Sequence, residues 1–396
     1  MPYGIRVRVP SRARFMWCYE KRYIKKILRL CQYYATPLYI YHIPTLLREI
    51  SKYKDVFKDK PVDILYAFKA NSNREICSVI KKQGLGADVV SGGELELALE
   101  LGFDNISFSG VGKTDDEITL AVKNRISFIN IESYEEFLNL RKIAQRLRIK
   151  TAISVRLNPN INVNTHRYIR TATKYSKFGV DFKTAKEIYL KASKSRYIEI
   201  KAVHFHLGSQ IFDESYYAKA LKKTVDFIRS LCVYGINIKK IDIGGGWGVK
   251  EGKECTGHNK IFDVIKHYIP EFSFILEPGR SIVASCGILA LKVLYRKKIG
   301  KRYIIVVDGG MNVFVRPILY NVFHPVFNLV QRRGERVICD IVGPLCESSD
   351  FISKSVKITL PQRNDILAVV SAGAYGYPMS NEYNLRKKPL EKVIYH

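Results

Sequence analysis

At 396 residues, with 47% hydrophobic side chains, the chain can bury a sizeable core and is long enough for one large barrel plus a smaller domain. No run of about 18 or more uncharged apolar residues occurs, so no helical membrane span is expected. The formal net charge of +28 raises the question of nucleic acid. The Lys and Arg residues are spread along helical segments such as 141–150 and 183–196, with no basic tract interleaved with aromatics. A nucleic-acid partner is therefore not expected, although a positive field would gather small anions.

The eight cysteines are scattered and none forms a C-x-x-C pair. That leaves a zinc ribbon or thioredoxin centre without support and fits a reducing cytoplasm. Residues 1–23 are basic but lack the apolar stretch of a signal peptide; their Arg content is compatible with an organelle transit peptide. The segment 37–42 (PLYIYH) reads as a strand.

From about residue 60, short β-branched or apolar runs alternate with longer amphipathic ones. Strands are expected at 62–70, 87–91, 106–110, 128–133, 151–158, 198–207, 239–246 and 272–280. Helices are expected between them at 74–83, 93–101, 115–124, 134–147, 183–194 and 216–234, several followed by Gly or Asn as a left-handed cap requires. Eight strands with crossover helices predict a parallel (β/α)8 barrel. An open doubly wound sheet competes. The barrel is preferred because Lys69, Ser91, Ser109, Glu132, Arg156, His206, Gly244 and Glu277 all stand at strand C-terminal ends, which a barrel gathers at one mouth.

After residue 283 the rhythm changes. The runs 288–295, 303–307, 336–342, 355–360 and 366–371 read as an antiparallel β-domain, which the strand at 37–42 joins from the other end of the chain. The expected organisation is an N-terminal extension and strand (1–44), an α/β barrel (45–282) and a C-terminal β-domain (283–396). The first 30 residues fit neither domain.

Four segments carry chemistry. Lys69 ends an apolar strand facing the mouth, where partial desolvation suits Schiff-base formation; a lysine snorkelling into solvent is the plainer reading. Gly244-Gly245-Gly246 follows a strand and could let backbone N–H groups approach a phosphate. It is neither a P-loop nor a dinucleotide fingerprint; a tight turn is the alternative, but three consecutive glycines exceed what a turn needs, so the phosphate site is preferred. In His204-Phe205-His206-Leu207-Gly208-Ser209, the histidines share a face, but no third ligand has metal spacing, so no metal is expected. One of them could lie flat on an aromatic cofactor while Ser209 donates to a phosphate. Glu277-Pro278-Gly279-Arg280 offers a carboxylate for a pyridine nitrogen and a guanidinium fork for a carboxylate. Cys346 beside Glu347, read alone, is a buried or incidental thiol.

Together, YAFKANSN (66–73), GADVVSGGELELAL (86–99), FSGVGK (108–113), THRYIRTATKYSKFG (165–179), HFHLGSQI (204–211), DIGGGWGV (242–249), EPGRSIVA (277–284), VVDGGMN (306–312), RPILY (316–320), VGPLCESSDF (342–351) and GAYGYPMSNEYN (373–384) resemble the fold-type III pyridoxal 5'-phosphate (PLP) decarboxylases with an alanine-racemase-like fold. They are most similar to the diaminopimelate decarboxylase family, and occur in that family's order over roughly residues 36–390. The resemblance implies that Lys69 binds PLP and that His206 stacks on its ring. It implies that Ser209, Gly245, Gly246, Gly279, Arg280 and Tyr375 surround the phosphate, with Glu277 at the pyridine nitrogen. Arg280, Arg316, Tyr320, Glu347 and Tyr375 would bind meso-diaminopimelate, and Cys346 would donate the proton that replaces CO2. It also implies a homodimer in which Cys346 and Glu347 serve the opposite subunit's site. Ornithine, arginine and carboxynorspermidine are the competing substrates. The segments HLGSQI and CESSD speak against the first two.

Overall fold

The computed structural model describes residues 17–163, 171–172, 175–249, 257–330 and 334–396. The N-terminal basic segment and most of the 165–179 motif lie outside the described residues. The strands in chain order are β1 (Leu38–His42), β2 (Val62–Ala67), β3 (Gly86–Val89), β4 (Ile106–Phe108), β5 (Phe128–Ile131), β6 (Thr151–Leu157), β7 (Ile198–Phe205), β8 (Lys240–Asp242), β9 (Ser273–Leu276), β10 (Gly287–Ile299), β11 (Arg302–Val307), β12 (Val326–Asn328), β13 (Arg336–Val342), β14 (Phe351–Thr359), β15 (Ile366–Val370) and β16 (Leu390–Ile394). The described chain falls into two compact units, one of residues 17–49 and 282–396, the other of 50–249 and 257–281.

In the second unit, β2 to β9 pair in parallel and close into a barrel, with β2 returning to β9. All eight expected strands are present, so the open sheet is ruled out. Leu65, Phe128 and Ile275, from three strands, meet in one interior cluster against Ala152 on a fourth. The helices begin where the sequence supplies caps. Asn73, Ser91, Thr114, Ser133 and Asp181 each accept a backbone N–H of the following first turn, and Thr114 with Glu117 completes a capping box.

The strands stop one to four residues earlier than their apolar runs. Phe68, Ala70, Leu207 and Ile243 are fully or almost fully buried yet unpaired in the barrel ladder. Burial extends past the sheet into the turns that carry the polar residues. The expected strand 62–70 is thus corrected: it ends at Ala67, and Phe68–Ala70 is a 3-10 turn.

The first unit is one sheet in the order β12-β15-β10-β11-β13-β14, with β1 added between β10 and β16. Most pairings are antiparallel, but β1 with β16 and β11 with β13 are parallel. Each of those pairs is joined by a long stretch of chain, the connection that parallel pairing needs. The helix Lys21–Tyr34 buries Tyr23, Ile24, Ile27 and Cys31. These pack with Leu38, Ile40, Ile288, Ala290, Ala368 and Val370. The early segment that matched neither domain by sequence is therefore a cover for this sheet. Among the described residues no helix is long and apolar enough to cross a membrane.

Candidate active site

Lys69 sits in the turn after β2. That turn is held by Ala67 N–H donating to the Pro278 carbonyl (3.2 Å) and by the Tyr66 hydroxyl on the Asn71 carbonyl (2.8 Å). Gly279 packs tightly beside it; a Cβ there would stand 2.9 Å from Ala70 Cβ. The Lys69 amine lies 2.7 Å from Oδ2 of Asp88 on β3, and Oδ1 of Asp88 accepts from Ser107 (3.3 Å). Asp88 is fully buried. Burial and the neighbouring Glu277 raise its pKa, against the pull of Lys69. The lysine is partly desolvated as expected, but it is paired rather than alone.

The glycine run after β8 is shaped by close contacts. Asp242 Oδ1 accepts from Gly244 N–H (2.9 Å), and the Tyr217 hydroxyl donates to the Gly245 carbonyl (2.8 Å). A Cβ at Gly245 would fall 2.0 Å from the Glu277 carbonyl oxygen, and one at Gly246 would fall 2.0 Å from that of Gly208. The glycines are needed for space. The Gly245 N–H donates to His206 Nδ1 (3.1 Å). That bond makes Nδ1 an acceptor and leaves the proton of a neutral ring on Nε2. Burial, with Arg156 and Lys69 nearby, lowers the His206 pKa well below the ordinary imidazole value, so the ring is uncharged near neutral pH. Arg280 Nη2 donates to Ser209 Oγ (3.2 Å), bringing a guanidinium and a hydroxyl together on the same side of the barrel mouth.

Three adjacent strands contribute His204, Asp242 and Glu277, all buried, whose ligand atoms lie within 4.8 Å of one another. Sequence spacing offered no third partner for a histidine; barrel closure provides two. His204 Nε2 is 3.5 Å from Glu277 Oε2. Burial raises the Glu277 pKa, but His204, Lys69 and His206 outweigh it and hold the carboxyl well below its usual range. Asp242 is pushed well above its usual range by burial and by Glu277. Asp88 and Asp242 escaped the sequence reading. Their signal was an acid inside a buried parallel strand, in Gly86–Val89 and Lys240–Asp242.

Farther round the mouth, Arg156 on β6 meets Glu132 at 2.6 Å, both buried, and Glu132 also accepts from Gly179 N–H (2.9 Å). Burial raises the Glu132 pKa, but Arg156 and Lys113 reverse the sign and lower it.

The other expected site residues belong to the β-sheet unit. Arg316 opens the short helix Arg316–Tyr320; it is 1% exposed and donates from Nη1 to the Ala374 carbonyl (3.4 Å). It thereby meets the turn that carries Tyr375, whose φ is +56°. Tyr320, at the other end of that helix, is half-buried. Cys346 and Glu347 are exposed; of the two readings of the isolated thiol, buried or incidental, burial is corrected. Their loop is organised by Asp350, which accepts from Met311 N–H (2.6 Å) and Leu345 N–H (2.7 Å). The Tyr383 hydroxyl holds the Glu347 carboxylate.

Comparison with known proteins agrees with this arrangement. The family profile described as pyridoxal-dependent decarboxylase, pyridoxal binding domain, matches residues 44–284. The diaminopimelate decarboxylase of Aquifex aeolicus is 41% identical over 372 residues, 92% of this chain and 88% of that protein. The crystal structure of diaminopimelate decarboxylase from Helicobacter pylori complexed with L-lysine superposes with a TM-score of 0.88 at 41% identity, covering 93% of this chain and 94% of that one. Diaminopimelate decarboxylase from M. jannaschii in co-complex with L-lysine gives a TM-score of 0.87 at 32% identity, covering 93% of this chain and 89% of that one.

Proposed function

The chain belongs to the pyridoxal-dependent decarboxylases, within them to the diaminopimelate decarboxylases, and on that footing we propose that it releases CO2 from meso-2,6-diaminopimelate to leave L-lysine. The observation that carries the reading is the barrel mouth itself. An amine-bearing Lys69 paired with a buried acid, a neutral His206 and an ionised Glu277 stand on one closed barrel.

These residues fit PLP. The side of the mouth that holds Gly245, Gly246 and Gly279 admits no Cβ without collision. Arg280 and Ser209 lie together there. Glu277 Oε1 is a buried oxygen with no hydrogen-bond partner. When bound, PLP supplies an electron sink for the pair left behind as the carbon–carboxylate bond breaks.

The chain's own residues do the rest. Lys69 would hold the cofactor through its amine, and His206 would offer its uncharged plane to the ring. Ser209, Gly245, Gly246, Gly279, Arg280 and Tyr375 would enclose the phosphate, and Glu277 would pair with the ring nitrogen. The distal end of the substrate carries both an ammonium and a carboxylate. Glu347 suits the first; Arg316, Tyr320 and Arg280 suit the second, with Tyr375 beside them. A site built for both charges is left with unpaired groups by ornithine, which gives discrimination. A proton must take the place of the lost carboxylate on the same carbon, and the Cys346 thiol is its source. Cys346 and Glu347 are exposed on their own unit, which supports a homodimer in which they complete the opposite subunit's site. A cytoplasmic location belongs to the same proposal; the free cysteines among the described residues are what a reducing compartment favours.

The test is a substrate panel with CO2 and amine detection. Lysine from meso-diaminopimelate, lost in Lys69→Ala, is the expected result. Turnover of carboxynorspermidine with none of diaminopimelate would overturn it.

A further inference from the structure

The group His204, Asp242 and Glu277 holds more than the cofactor contact requires. The backbone register sets His204 opposite Asp242 on β7 and β8, and Asp242 opposite Ile275 on β9, two residues before Glu277. The three side chains therefore meet by strand pairing and not by chance of a loop. All are buried, at 1%, 0% and 3% exposure.

Two carboxyl groups this close, out of water, do not both ionise; one keeps a proton. The neighbours decide which. His204 is 3.5 Å from Glu277 Oε2, and Lys69 and His206 also favour charge on Glu277. Asp242 already spends Oδ1 on Gly244 N–H, and the proton it keeps makes a side-chain hydrogen bond with Glu277. Asp88 adds a further acid on the same side. Glu277 thus stands between His204, whose Nε2 is in ion-pair range of Oε2 at 3.5 Å, and the protonated Asp242.

We propose that His204 and Asp242 are positioning residues for Glu277: they flank its carboxylate and keep the group's negative charge on it, where it meets a protonated ring nitrogen. This rests on the reading of Glu277 as the partner of the PLP pyridine nitrogen. A metal ion chelated by the same three side chains would compete with that ring N–H for the Glu277 carboxylate.

The experiment uses the purified holoenzyme and the variants His204→Gln, Asp242→Asn and Glu277→Gln. Two quantities are read besides turnover: the pH midpoint of the visible absorbance of bound PLP, and the PLP dissociation constant. Gln and Asn keep size and hydrogen-bonding atoms, and Asn can still accept from Gly244 N–H, so each variant tests charge and grip more than packing. His204→Gln and Asp242→Asn, each alone, should move the midpoint by about one unit and weaken PLP retention about tenfold. Glu277→Gln should exceed both. If Glu277→Gln changes both quantities and neither of the others does, the proposal is overturned while the assignment of Glu277 stands. If Glu277→Gln also changes nothing, the assignment fails and the proposal with it. A stoichiometric metal in the wild-type protein, lost in His204→Gln, would likewise overturn it.

Discussion

The Lys69 amine and the Asp88 carboxylate form a 2.7 Å ion pair in which the acid is wholly buried and the lysine side chain keeps 33% of its exposure. On the proposed role of Lys69, its amine would need a partner whenever it is not bonded to the cofactor, and Asp88 is placed to be that partner. Asp88→Asn keeps the shape and removes the charge. It should lower kcat for CO2 release about tenfold or more, with the protein still folded, as steady-state assays and circular dichroism would show.

Arg156 and Glu132 are buried partners, and each is costly to leave alone. Arg156→Met or Glu132→Gln should destabilise the barrel by about 3–5 kcal/mol. Glu132→Gln also weakens the acceptor for Gly179 N–H. Urea unfolding of the two single variants and the double variant would measure it, and the double should be less unstable than the two costs added.

Asp350 governs the loop that presents Cys346 and Glu347. A Cβ at Gly310 or Gly343 would come within 2.0 or 2.3 Å of its carboxylate oxygens, so the acid fits a slot with no room to spare. Asp350→Ala would leave two backbone N–H groups without their acceptor, at about 1–3 kcal/mol each. The expected result is a large fall in kcat while PLP binding at Lys69, read by absorbance, stays near wild type.

His42 makes stability depend on pH. It lies in the β-sheet unit, stacked on Trp17 at 4.7 Å, with Nδ1 2.9 Å from the Thr45 hydroxyl. Burial, followed by Arg48, Arg22 and Lys26, brings its pKa from 6.5 down to about 4. The folded state therefore resists a proton that the unfolded state accepts. Stability is complete above about pH 6.5, falls by about 1.4 kcal/mol per unit towards pH 4, and is flat below that on this account. His42→Gln should flatten that slope in denaturant midpoints taken from pH 4 to 7.

The barrel was legible because period and punctuation agreed. Each expected helix starts within a residue of its observed start, since Asn73, Ser91, Thr114, Ser133 and Asp181 mark the caps. Strand ends were overextended because Phe68 and Ala70 are buried by packing while the ladder has already ended. Lys69, His206 and Glu277 were visible as polar residues closing apolar runs. Asp88 and Asp242 were not, because a single acid in a strand announces nothing until closure sets it against Lys69 or Glu277. The helix Lys21–Tyr34 was hidden by its cations, which mask the buried spacing of Ile24, Ile27 and Cys31.

Strand β1 has both its neighbours far downstream. As the polypeptide emerges from the ribosome, the whole barrel is synthesised before β10 appears, and β16 comes later still. Until then Leu38, Tyr39, Ile40 and Tyr41, all fully buried at the end, hang as an apolar ribbon with two open edges. Expression should accordingly depend on chaperone supply, and nascent chains stalled after the barrel should aggregate more than the finished protein.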